Sequence, residues 1–226
     1  MSSTVVASPS PLSHWPKVLA LATVLLIAAA FVLRYVFRYY LHYNEAAFTD
    51  PLQGAANYWR MRGWLLLHIT SGMVALLIGP WQFSRRLRQR FVSLHRLSGR
   101  VYLIAVMCAC TGAIRLAIST TFGKAFGVGL LALVLAWLTT SGMAYYAIRM
   151  RQISIHREWM VRSYVVTFAF VTFRIFNDYP PMMAWLPDAD RANVVIWACW
   201  AIPLLITEVI LQLSRMRRAQ TAVRAQ

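Results

Sequence analysis

The chain has 226 residues, 59% hydrophobic and only 13% charged, with a net charge of +16 and a mean hydropathy of +0.54. A soluble domain of this length carries roughly a quarter charged residues, so a purely soluble fold is excluded. The positive charge does not indicate nucleic acid, because the basic residues flank apolar stretches instead of forming a patch on a soluble domain.

In chain order, a Ser- and Pro-rich tail (residues 1–16) precedes six apolar stretches, and a basic tail (215–226) follows them. The stretches are predicted at about Val18–Phe37, Arg62–Phe83, Leu97–Ile118, Phe126–Met150, Trp159–Asn177 and Val194–Leu213. Each approaches the ~20 residues that a helix needs to cross the hydrocarbon core. Only helices satisfy every backbone amide there, so the expected fold is all-α, with six transmembrane helices over residues 17–214 and a central four-helix bundle of spans two to five. With the N-terminus taken as cytoplasmic, fifteen basic residues fall inside and five outside. That bias predicts both termini in the cytoplasm. The first span runs on past Ala28-Ala29-Ala30 through Leu33, which favours a retained span over a cleaved signal peptide.

Span one ends in the aromatic and basic run "RYVFRYYLHY", suited to an interfacial anchor, and the segment to Met61 is long enough for a short surface helix. Spans three and four are expected to form a tight hairpin around Gly123-Lys124, and "NDYPPMMAWLPDAD" reads as a loosely ordered loop. Cys108, Cys110 and Cys199 all lie inside spans and indicate packing, not a disulfide framework.

"LHRLSGRVY" (Leu94–Tyr102) and "IHREWMVRSY" (Ile155–Tyr164) are similar, and with their flanks they suggest a repeat of spans two–three by spans four–five. Two copies in one orientation set His95 and His156 at equal depth about a pseudo-two-fold axis. Histidines on facing bundle helices are the usual ligands of b-type haem. On this reading His95 and His156 are axial ligands of haem iron. Arg96, Arg100, Arg157, Arg162, Tyr102 and Tyr164 then pair with the propionates, and Ser98, Gly99 and Ser163 leave room for the ring. The same residues are equally read as interfacial anchors or a structural polar network. His68 shares a face with Gly72, Ala75 and Gly79, and is either a packing histidine or a ligand of a second haem. The repeat places that haem's other ligand near Gly129, where there is no histidine, leaving His42 as a substitute. Glu208 needs a cation, with Arg100 and Arg162 the candidates, and Arg115 and Arg174 can reach the headgroups or Asp178.

The blocks "HITSGMVALLIGPWQF", "LHRLSGRVYL" and "IHREWMVRSYVVTFAFVTFRIF" resemble the bacterial membrane protein family catalogued as domain of unknown function 2306, over about residues 60–180. The resemblance implies a bacterial inner-membrane location and a shared pattern that includes His68, Gly79, Pro80, Arg100, His156, Arg162 and Arg174. It implies no activity. A looser likeness is to the ascorbate-reducible di-haem b-type cytochromes, whose four central helices each supply a histidine, and span four departs from that pattern. Three functions follow as expectations: a haem b electron carrier with a redox partner or quinone; a small-solute or proton transporter using Glu208, His68 and Arg174; and a zinc hydrolase on His95, His156 and Glu158. The last is disfavoured for want of a metalloprotease motif and a third ligand.

Overall fold

The computed structural model describes residues 15–50, 56–178 and 188–224. The N-terminal tail up to residue 14 and most of the Pro-rich loop after span five lie outside the described residues.

Six helical spans are present. Span one is α1 (Trp15–Phe31), a π-helical segment at Val32–Val36 and the short α2 (Arg38–Leu41). Span two is α3 (Arg62–Gln82), followed by the basic α4 (Arg85–Arg90), which Ser84 caps by accepting from the Leu87 amide. Span three is α5 (Val92–Ile118) and span four is α6 (Lys124–Arg149). Span five is α7 (Ile153–Thr167) continued by α8 (Ala169–Asp178), and span six lies within α9 (Asp188–Arg224). The helices α3, α5, α6 and α7 pack in a closed ring, which is the expected four-helix bundle of spans two to five. Span six packs on α6, α7 and α8, and span one packs on α3.

Glycines set the closest approaches. A Cβ on Gly112 of α5 would lie 2.7 Å from the Trp64 carbonyl oxygen, so α3 and α5 touch backbone to backbone there. Gly129 of α6 admits Ile196 of α9, whose Cγ2 lies 2.7 Å from where a Cβ would stand. This position aligns with His68 in the repeat. Its role is helix contact, which explains why no histidine occupies it. Gly123, at φ +93°, makes the expected hairpin turn between α5 and α6, a backbone conformation that disfavours side-chain-bearing residues.

Two predicted boundaries differ. Both α5 and α7 begin five or six residues before the apolar stretches, because polar residues limit where the bilayer begins but not where the helix begins. His95 and His156 are therefore each the fourth residue of a helix, with amides bonded to Phe91 and Gln152 carbonyls at 3.0 and 2.9 Å. Span five, expected as one helix, is interrupted at Phe168. There the Thr167 hydroxyl donates back to the Ser163 carbonyl at 2.9 Å, a competition that bends helices.

The segment after span one also departs from the expected surface helix. It folds into two single 3-10 turns and a two-residue antiparallel ladder, Thr49–Asp50 against Ala56–Asn57. Tyr39, Tyr43 and Trp59 surround the fully buried Phe48, with ring centroids 5.1–5.6 Å away, and this aromatic cluster lies over Leu65 of α3.

Candidate functional site: a cavity facing His68 and a polar hub beneath it

The bundle has a basic end, where α4 and the first turns of α5 and α7 lie, and a far end, where α8 finishes. In the far half is a cavity of about 200 Å³. Its wall is mostly apolar and aromatic, with Phe170, Phe173, Phe126 and Trp137 from the bundle and Tyr35 from span one. His68, Gly72 and Arg174 also line it.

His68 is held in one tautomer by its neighbour. Its Nδ1 lies 2.9 Å from the Ala109 carbonyl oxygen, which only accepts, so Nδ1 carries the proton. In the neutral ring Nε2 is then a lone-pair acceptor. The Phe170 ring meets the imidazole edge-on at 4.7 Å. Arg174, one turn of α8 beyond Phe170, lies over Tyr35 at 5.4 Å. Tyr35 belongs to the π segment, and its bulged backbone brings the ring to the cavity. A Cβ on Gly72 would meet nothing within 4 Å. The small stripe beside His68 therefore has two uses: Gly72 leaves the cavity open, and Gly79 makes room for a ring described below.

Beneath the cavity lies a buried polar hub. Trp137 Nε1 donates to the Thr167 hydroxyl at 2.9 Å, and the Tyr102 hydroxyl is 2.8 Å from both Thr167 and Ser163. Ser141 is 2.8 Å from Ser163. The proton positions follow in order. Thr167 spends its hydrogen on the Ser163 carbonyl, so Tyr102 donates to Thr167, Ser163 to Tyr102, and Ser141 to Ser163. All four hydroxyl hydrogens are placed, as a bundle interior requires. Tyr102→Phe leaves Ser163 without its acceptor, and the fold is expected to lose about 1–2 kcal/mol, read as a lower thermal midpoint in detergent.

Tyr164 is placed by Pro80. A proline has no amide hydrogen, so the Leu76 carbonyl, four residues earlier in α3, loses its helical partner. The Tyr164 hydroxyl donates to that oxygen at 3.0 Å, and its ring occupies the space where a Cβ on Gly79 would stand. Gly79 and Pro80 thus form a paired device, one freeing the carbonyl and the other admitting the ring that satisfies it. The Gly-Pro step is the sequence signal for this device, since a proline inside a helix frees the carbonyl four residues before it.

The residues expected around haem b are disposed differently. His156 Nδ1 donates to the Ala144 carbonyl of α6 at 2.8 Å, while His95 Nδ1 is buried with no hydrogen-bond partner among the described residues. Two turns further in on the same faces, Tyr102 and Ser163 bond to each other and close the gap. Ser98 bonds Gln82 Nε2 at 2.7 Å, and Gly99 faces Gln82 Oε1, so Gln82 fills the space expected to admit the ring. Tyr102 and Tyr164 are committed to the hub and to Leu76 respectively. Arg162 is committed to Glu208, and Arg96 and Arg100 are exposed. The residues present do not fit a haem b between His95 and His156. His42 is exposed beyond span one, and among the described residues no group of three His, Cys, Asp and Glu could hold a metal ion.

At the basic end Arg162 and Glu208 form the ion pair expected for Glu208, with Nε and Nη2 at 2.8 and 2.5 Å from Oε2. Arg215 bonds Glu158, and Arg162 stacks 4.7 Å from the Trp159 ring. Arg88, on α4, donates to the Phe83 carbonyl at 3.2 Å. Burial, then the Arg157 and Arg85 charges, hold its guanidinium below its ordinary value. Arg115 donates to Ser119 at 3.1 Å.

No curated protein and no solved structure matches the chain. A family model matches residues 65–211, which extends the expected core of about 60–180 through Glu208 in span six. The chain therefore belongs to the predicted membrane protein family DUF2306.

Proposed function

We propose that this membrane protein binds a small bilayer-soluble molecule, an apolar body with an oxygen-bearing head, in the cavity of the far half of the bundle. The cavity carries this reading: an apolar and aromatic wall with two convergent polar groups, His68 and Arg174, is the usual make-up of a small-molecule site. The His68 tautomer supports it, since the Ala109 carbonyl orients the ring and leaves one nitrogen for the cavity. The ion cluster at Glu208 and Arg162 ties span six to span five and needs no transported solute.

Gly72→Leu tests the proposal, because its Cβ enters open space at the cavity wall and the rest of the side chain takes up cavity volume. The variant is expected to fold as well as the parent or better, since a helical glycine costs up to about 1 kcal/mol relative to alanine. Organic extraction of the purified parent, analysed by mass spectrometry, is expected to release a lipophilic compound that the variant lacks. An identical extract from both proteins overturns the proposal. A reduced-minus-oxidised visible spectrum of the same samples is expected to show no haem band.

A further inference from the structure

We infer that the cavity takes a single oxygenated ring of the phenol or hydroquinone class, and prefers the hydroxylated ring to its quinone. This deepens the proposed function and rests on it. Size comes first. An apolar cavity of about 150 Å³ holds a benzene ring, so about 200 Å³ suits one ring with a few substituents and is small for a folded lipid chain. The wall has the matching chemistry, since Phe170, Phe173 and Trp137 present aromatic surfaces for edge or offset contacts with a ring.

Polarity gives the direction of the hydrogen bonds. With Nδ1–H fixed on Ala109, neutral His68 offers the cavity an acceptor, which complements a hydroxyl and faces a quinone carbonyl lone pair to lone pair. Arg174 adds a cationic group to the same wall, its guanidinium over the Tyr35 ring. An acceptor on α3 and a cation on α8, both lining one aromatic cavity, suit a ring that carries a hydroxyl. A fatty acid leaves the His68 acceptor and the aromatic wall unused.

The test is calorimetric titration of the full chain in detergent micelles with three probes: a hydroquinone bearing one isoprenoid unit, the corresponding quinone, and decanoate. The hydroquinone is expected to bind saturably and at least about tenfold more tightly than the quinone, the ratio lost when a buried acceptor goes unpaired. His68→Asn retains an N–H in the place of Nδ1 and removes Nε2. It is expected to keep the fold and bring hydroquinone binding down to the quinone level. Equal affinity for both rings, or an unchanged preference in His68→Asn, overturns the hydroquinone inference. Binding of decanoate alone, abolished by Gly72→Leu, overturns the ring class and leaves the cavity function standing. If no probe binds and the Gly72→Leu extract also matches the parent, both fall.

Discussion

Gly79→Ala is expected to be the most damaging single-methyl change in the bundle, lowering stability by about 3 kcal/mol in detergent unfolding. The added Cβ coincides with the Tyr164 ring, and the ring cannot move away cheaply because its hydroxyl is anchored on the Leu76 carbonyl. Overpacking a fitted core costs about 1–3 kcal/mol, and displacement of the ring also leaves a carbonyl unpaired at membrane depth. Tyr164→Phe isolates the second part, with an expected loss of about 1–2 kcal/mol. The cause is checked with Pro80→Ala, which restores an amide hydrogen for Leu76. In that background Tyr164→Phe is expected to cost less than half as much, because the helix now satisfies the carbonyl itself. The same cost in both backgrounds removes Pro80 from the explanation.

That device shows how far the residues could be read in advance. Hydropathy located the six spans, since burial of backbone amides in hydrocarbon leaves one solution. Matching His-Arg segments placed His95 and His156 at the mouths of spans three and five, and in the structure each is the fourth residue of its helix. The partners of these residues were less legible, because they depend on contacts across the bundle. Tyr102 reaches Ser163 from 61 positions away, and Gln82 reaches Ser98 across two helices. A tyrosine beside an arginine at a span end suits a propionate and a neighbouring hydroxyl equally well until the facing helix is known. The break at Phe168 was hidden for the same reason, since it accompanies a hydroxyl hub assembled from three helices. The cavity is more hidden still. It arises from Gly72, the π segment of span one and the aromatic cluster over α3, which share no local pattern.

Arg162→Leu is expected to have the second large effect, a loss of about 3 kcal/mol, and Glu208→Gln a smaller one of about 1 kcal/mol. The asymmetry follows from burial and from the number of partners. The Arg162 side chain is only 8% exposed, and it serves Glu208 through two nitrogens, faces Glu158 at 3.9 Å and stacks on Trp159. Removing it leaves two carboxylates with Arg215 as their shared cation in the cluster, one of them, Glu158, half-buried. The Glu208 side chain is 40% exposed, so water screens much of its charge, and Gln212 still bonds whatever replaces its carboxylate. With glutamine there, Arg162 keeps Glu158 and Trp159. Arg162→Lys separates charge from geometry, because an ammonium cannot present two nitrogens to one oxygen and stack as a plane. Its expected cost lies between the other two. Thermal unfolding of the three variants in one detergent gives the order Leu, then Lys, then the Glu208 change. If Glu208→Gln proves the costliest, the anchor between spans five and six is the carboxylate and not the guanidinium.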